Sequence, residues 1–331
     1  MVILGNPGIG KTYFGYFLLL FLAHSGATVI YESYLQKEYL YLLTPNGVFT
    51  ATRGSLYHLF MPPETFYIAD GITPVDFPAK TILLTSLRRD IWHQFSKSSC
   101  HLRYMPVWSE EELYLCRSMI FPSIPEKLVK TLYLKWGGIA RYVLKYALVK
   151  EQQALLSEAL NISNIDSVVD SFGGSGAKSD ASSRLIHRSV INGFSGGPYE
   201  FASAYVVDEI YNRIYVKDRD HLMRFLSVPE NVSETGQLRG ILFEKHAHIV
   251  IAKGGSFKIR DLRSKLVSTL ELPMDLTAIL FSNNHQIKKS TNCYFRPVSK
   301  IFASVDSFIK PNLLFQMTCA QNHPCKQTGL C

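Results

Sequence analysis

The chain of 331 residues has no C-x-x-C pair, and its six cysteines are scattered without regular spacing. That excludes a disulfide framework as the basis of the fold and points to a reduced setting. Cys319, His323, Cys325 and Cys331 crowd the tail, but they match no established zinc spacing. Long hydrophobic runs are also missing. The apolar stretch at residues 13–23 is too short to span a bilayer and reads as a buried helix. No secretory leader is visible, because the chain opens inside an apolar strand, so we expect a segment upstream of it. Negative charge is in short supply: 27 Asp and Glu stand against 35 Lys and Arg, a net charge of +8. Such a balance suits an acidic partner, nucleic acid first and an anionic membrane surface second, or an ordinary basic protein. Apolar residues make up 47% of the chain and aromatics 12%, which excludes wholesale disorder. The length allows two domains, or one large domain with an appendage.

The most specific pattern is Gly5-Asn6-Pro7-Gly8-Ile9-Gly10-Lys11-Thr12, which fits G-x-x-x-x-G-K-S/T at every fixed position. An apolar strand precedes it and the apolar helix follows it. Glycines let backbone N–H groups turn inward around phosphates, and the helix N-terminus adds its positive dipole end. The pattern predicts a nucleoside triphosphate site in which Lys11 reaches the β- and γ-phosphates and Thr12 ligates Mg²⁺.

Further along, residues 65–70 form an apolar strand ending in Asp70, a carboxylate placed to hold the water shell of the Mg²⁺. Residues 80–86 form another, ending in Thr85 and Ser86. Its polar tip reads as a sensor of the γ-phosphate or as a plain Ser/Thr turn. Residues 102–108 suggest a fifth strand, and Ser109 with Glu112 forms a capping box for the next helix. Alternating strands and helices argue for a parallel sheet covered on both faces. Residues 125–160 read as helical, interrupted at Trp136-Gly137-Gly138, and form a lid; Arg141 is a second sensor or a solvated helix-face cation. Asp70 is followed by Gly71, not by a second acid, so the base that orients water is open, with Asp76 and Glu32 as candidates. Slow hydrolysis or a nucleotide-dependent switch is as credible as a fast ATPase.

Residues 166–180 are rich in Ser, Gly and Asp and read as a linker or an exposed loop. The helix that begins near Gly236 puts Glu244 and His248 on one face, four residues apart. Two short strands, at residues 304–308 and 313–318, flank Lys310-Pro311-Asn312 and read by themselves as a hairpin with polar ends. From Lys253 onward basic residues outnumber acids, which fits a phosphate-backbone contact surface or solvated lysines.

Together, the phosphate loop, Asp70-Gly71, Thr85-Ser86, the segment from Met105 through Trp108 to Leu113, and Gly137-Gly138-Ile139-Ala140-Arg141 resemble the Crinkler proteins. These are fungal and oomycete relatives of the trypanosome retrotransposon hot spot proteins. Ala140 departs from the family pattern, which has proline there. The resemblance implies an α/β fold: a P-loop NTPase with an AAA/STAND-like parallel sheet over residues 1–160, its helical lid at about 109–160. A linker at 161–195 and an α+β restriction-endonuclease-like domain at 196–331, cut short at its end, complete it. It implies ATP and Mg²⁺ as cofactors, with Ser86 and Arg141 joining the phosphate loop in holding nucleotide. In the second domain it implies a nuclease-like site from Glu244, Asp306 and Gln316, with Asp306 a metal ligand. Thr318 stands where a lysine completes that motif, and Lys326 is the substitute. DNA and a host protein are the implied partners, with secretion and action in the host nucleus. Two functions stay open: an NTPase coupled to a DNA-directed nuclease-like domain, and a nucleotide-binding effector that does not cut.

Overall fold

The computed structural model describes residues 1–97, 100–172, 180–227, 233–281, 287, 292–297 and 305–319. The chain divides into two compact units, Met1–Arg213 and Ile214–Cys331.

In the first unit, β1 (Val2–Leu4) leads through the glycine-rich loop into α1 (Lys11–His24). Next come β2 (Val29–Ser33), a hairpin of β3 (Gln36–Thr44) and β4 (Gly47–Ala51), then β5 (Phe66–Asp70) and β6 (Lys80–Thr85). A short α2 (Arg89–Trp92) precedes β7 (Leu102–Tyr104). These strands make one sheet in the order β4-β3-β2-β5-β6-β1-β7, parallel from β2 to β7, with the β3–β4 hairpin antiparallel at one edge. The chain moves from β1 to the far side of the sheet, works back to β6, and then places β7 on the other side of β1. The carboxyl ends of β1, β5 and β6 therefore meet at the point where strand order reverses, which is where open α/β sheets receive ligands.

Alternation along the strands builds two cores. Ile3, Val29, Tyr31, Ile68 and Leu84 pack against Phe14, Leu18 and Leu22 of α1. Val2, Leu4, Ile30, Tyr67, Ala69 and Leu83 pack the opposite face with Leu56 and Phe60. Helix α1 departs from the expected buried helix. It lies on one face of the sheet, so only one stripe is covered, and Tyr13, Tyr16, Phe17, Leu20 and Phe21 are exposed.

The expected capping box is present: Ser109 and Glu112 cap α3 (Glu110–Ile120) reciprocally. Helix α4 (Glu126–Trp136), a π turn at Arg141–Lys145 and α5 (Lys150–Ile162) follow. Gln153 secures the π turn, its amide donating to the Tyr142 and Tyr146 carbonyls at 2.9 and 2.8 Å while accepting from the Trp136 indole at 2.7 Å. The stretch expected as a linker, 161–195, is instead built into the first unit. It carries α6 (Ile165–Phe172), α7 (Asp180–Leu185) and β8 (Ile186–Ile191), which pairs with β9 (Ser195–Phe201). Ile165, Val168, Phe172, Leu185 and Ile186 are buried, which outweighs the polar composition around them. The Gly- and Ser-rich residues 173–179, which prompted the linker reading, lie outside the described residues. The division between units falls later, within α8 (Ala204–Lys217).

The second unit holds α9 (Arg219–Ser227), α10 (Ser233–Lys253), a two-stranded antiparallel ribbon of β10 (Gly255–Arg260) and β11 (Val267–Leu272), and a four-stranded sheet. That sheet runs β12 (Thr277–Phe281), β13 (Cys293–Pro297), β14 (Ser307–Ile309), β15 (Leu313–Phe315), with β12 and β13 parallel and the rest antiparallel. One face packs Tyr294 and Ile309 with Ile251 and Ala252 of α10; the other stacks Phe295 on Phe308 beside Phe281. Among the described residues no helix is long and apolar enough to cross a membrane.

Candidate functional site

The loop at residues 5–12 wraps the carboxyl end of β1 in a shape that its glycines permit. Gly8 and Gly10 have φ of 85° and 101°, a region costly for any residue with a Cβ. A Cβ at Gly8 would lie 2.9 Å from that of Arg141, so the π turn sits directly against the loop; the Arg141 N–H donates to the Gly8 carbonyl at 3.0 Å. Gly138 allows the approach from behind: a Cβ there would stand 2.0 Å from the Trp108 carbonyl oxygen. Trp108 in turn donates its indole N–H to the Ile9 carbonyl at 2.7 Å. Asn6 anchors the other side. Its amide donates to the Ile186 carbonyl at 3.1 Å and its side-chain oxygen accepts from the Arg188 N–H at 3.0 Å.

A cavity of about 790 Å³ opens over this loop, a volume in the range of small-molecule sites. Pro7, Gly8, Gly10, Lys11 and Thr12 line it, with Asp70, Thr85, Ser86, Trp108 and Arg141 around them. Of the residues assigned to nucleotide from sequence, Gly5, Asn6 and Ile9 do not line it. Ile9 is fully buried beneath Gly5, and the Asn6 side chain is committed to β8.

Lys11 folds back over the loop, donating to the carbonyls of Gly5 and Asn6, both at 2.8 Å. Burial first, then the neighbouring Arg141 charge, push its ammonium down to about 7, against the pull of Asp70. Asp70 ends β5 in register with Ser33 and is almost fully buried. Burial pushes its carboxyl above the ordinary range, opposed by hydrogen bonds from Thr12 and Tyr31 and by the charge of Lys11. The Tyr31 hydroxyl donates to Asp70 Oδ2 at 3.2 Å, and burial raises that phenol, so it stays a donor. Thr85 Oγ1 is buried without a hydrogen-bond partner among the described residues, at a wall of the cavity. Such a group is costly unless something completes it.

The arrangement suits a polyanion with a hard cation. Loop amides and Lys11 would receive the anion. The Thr12 hydroxyl and the Asp70 carboxylate, already in contact, would hold Mg²⁺, which binds through one or two protein oxygens plus water and phosphate. Neither candidate base is in place. Glu32 accepts from Arg53 and Tyr67 on the opposite face of the sheet, and Asp76 is exposed away from the cavity. Asp70 is the one carboxylate among the described lining residues.

In the second unit, Asp306 and Gln316 meet at one end of the β14–β15 hairpin. The Asp306 N–H donates to the Phe315 carbonyl at 2.9 Å, and Asp306 Oδ2 accepts from the Met317 N–H at 2.5 Å. Glu244 lies one helical turn before His248, 3.6 Å from its Nε2. His248 Nδ1 is 2.5 Å from the Tyr294 hydroxyl, which donates to Ser307 Oγ at 2.7 Å. Burial pushes the Tyr294 phenol up to about 12; Asp306 and Glu244 add to that rise, while Ser307 and Arg296 oppose it. Both carboxylates thus face this buried network. Among the described residues no three His, Cys, Asp or Glu side chains are grouped to share a metal ion. Lys326 and the tail residues His323, Cys325 and Cys331 lie outside the described residues.

Sequence reasoning missed Trp108, Tyr31 and the β8 anchor. Tyr31 carried no local signal, because its contact with Asp70 depends on the pairing of β2 with β5. The Asn6 contact carried none either.

No family model matches the chain. It is similar to two proteins of Phytophthora infestans: Crinkler effector protein 16, 24% identical, and Crinkler effector protein 15, 23% identical. Each similarity covers 98% of this chain and 55% of the relative, so the chain spans about half the length of the relatives it matches. The likeness runs almost the whole length of this chain in both comparisons and supports a relationship to the Crinkler effectors.

Proposed function

We propose that the first unit is a P-loop NTPase that binds ATP with Mg²⁺, and that its nucleotide state governs a DNA-directed, nuclease-like second unit. The convergence of Lys11 and Asp70 on one cavity, over a loop held open by left-handed glycines, carries this reading. The strand order supports it: β6 lies between the loop strand and the acid strand, so Thr85 and Ser86 sit beside both. Bound Mg²⁺ would neutralise phosphate charge. Lys11 would exchange the Gly5 and Asn6 carbonyls for phosphate oxygens, and Arg141 would approach from the π turn. With Asp70 the single lining carboxylate among the described residues, and Tyr31 bound to it, the site is better equipped to hold nucleotide than to activate water. A slow, switch-like NTPase follows.

The relatives are named effectors. Secretion into a host, entry to its nucleus and a host-protein partner belong to the same proposal. For the second unit a binder that does not cut is favoured by two features: Asp306 is engaged by the Met317 N–H, and Thr318 replaces the expected lysine. Calorimetric titration with Mg·ATP tests the first unit: Lys11→Ala is expected to weaken binding at least 100-fold, and equal affinity would refute the reading. Plasmid incubated with Mg²⁺, beside an Asp306→Ala control, separates cutting from binding.

A further inference from the structure

The β10–β11 ribbon of the second unit is largely solvated. Every residue from Lys258 to Thr269 is exposed, so both of its faces are wet over most of its length. A hairpin that only completed a core would bury alternate residues. This one does so only at its base, where Phe257 and Leu270 meet the core around Tyr294. Beyond that base, its paired residues run Lys258 opposite Thr269 and Arg260 opposite Val267 on one face.

Charge on the ribbon is arranged, not merely positive. Residues 255–272 carry four cations, Lys258, Arg260, Arg263 and Lys265, and two acids, Asp261 and Glu271. Both acids are engaged internally. Asp261 accepts from the Arg263 and Ser264 N–H groups at 3.0 and 2.6 Å, closing the turn, and Glu271 takes the Ser256 hydroxyl. The four cationic side chains make no hydrogen bond or ion pair among the described residues. Lys258 and Arg260 are two residues apart on one face, about 7 Å along a strand, a separation on the scale of neighbouring phosphates of one DNA strand. The turn that follows presents Leu262, 82% exposed, and Leu266, 71% exposed. The tip of the ribbon thus carries apolar side chains beside its cations.

We propose that the β10–β11 ribbon is an arm that grips duplex DNA, its cations on the phosphates and its leucine tip wedged at a base step. A two-stranded ribbon fits a groove of duplex DNA, and leucine is among the wedges that unstack and kink it. The proposal rests on the reading of the second unit as DNA-directed and goes beyond it by naming the contact surface.

Fluorescence anisotropy of the full chain with a 25-base-pair duplex, measured across a salt series, tests it. Replacing Lys258, Arg260, Arg263 and Lys265 with alanine is expected to weaken binding at least 30-fold at low salt. The slope of log affinity against log salt should fall by about 3 to 4, near 0.9 per lost phosphate contact. Leu262→Ser is expected to leave that slope unchanged while reducing end-to-end bending of a doubly labelled duplex. An unchanged melting temperature in each variant shows that the fold is kept, because every altered side chain is exposed. If the unaltered chain binds duplex but the four-alanine variant binds equally well with the same slope, the ribbon assignment fails and the DNA-directed reading stands. If the unaltered chain ignores duplex even at low salt, that reading fails as well. Ribbon-dependent binding to phosphatidylserine vesicles in place of duplex also overturns the proposal, in favour of a membrane surface.

Discussion

Gly8 and Gly10 differ in a way that gives the loop geometry a quantitative test. Both have positive φ, so alanine at either position carries a backbone penalty of roughly 1–2 kcal/mol. At Gly10 nothing stands within 4 Å of the new Cβ, so the penalty ends there. At Gly8 the new carbon meets Arg141 Cβ at 2.9 Å and Ile139 Cγ2 at 3.0 Å. Neither contact is the far end of a flexible chain. The π turn must shift, adding overpacking of about 1–3 kcal/mol. In a unit of this size each kcal/mol moves Tm by roughly 2–4 °C. Gly8→Ala is therefore expected to melt measurably below Gly10→Ala in circular dichroism scans. It should also weaken nucleotide binding more, because Arg141 is displaced. If Gly10→Ala proves equally or more damaging on both measures, the π turn does not rest on the loop as described.

The pKa shifts give two more expectations. In the free protein Lys11 loses its proton as pH rises through about 7, and a bound triphosphate would restore it. Affinity should be flat below that pH and fall by up to tenfold per pH unit above it; a constant Kd between pH 6 and 9 contradicts this. His187 is fully buried, and burial pushes it down to about 4 from 6.5. Between those values the unfolded chain holds the extra proton, so stability is complete above pH 6.5 and is lost as pH falls towards 4. The loss amounts to about 3 kcal/mol by the lower limit. Urea denaturation of the wild type and His187→Gln at pH 7.5 and 5 should show a steeper loss of stability with falling pH in the wild type; equal slopes would contradict the assignment.

Elements with a strong local signature were legible in the sequence. The apolar strands ending at Leu4, Asp70 and Thr85 fall where their composition placed them, and the Ser109–Glu112 capping box is formed as read. What escaped depends on distance along the chain. Glu32 looked like a spare acid near the site, but strand alternation turns it to the far face, where Arg53 and Tyr67 engage it. The run around Phe17 looked buried because a fully apolar helix usually is, yet helix composition does not say how many neighbours will cover it. The stretch before β8 has a linker's polar composition, but the spacing of Ile165, Val168 and Phe172 gives α6 a buried apolar stripe. In the tail, the pairing of Asp306 with the end of β15 follows from a hairpin the sequence suggested, whereas the His248–Tyr294–Ser307 chain joins three elements and left no trace in any one of them.

The anchoring of Asn6 to Ile186 also sets a schedule. The two partners are 180 residues apart, so at about 5–20 residues per second the nascent loop waits roughly 10–40 s for its support. Strand β1 and helix α1 are made first, but the support that β8 gives to the turn between them arrives only after α3–α7 have emerged. If the first unit binds nucleotide as proposed, the ligand would stabilise only those chains whose first unit has been completed.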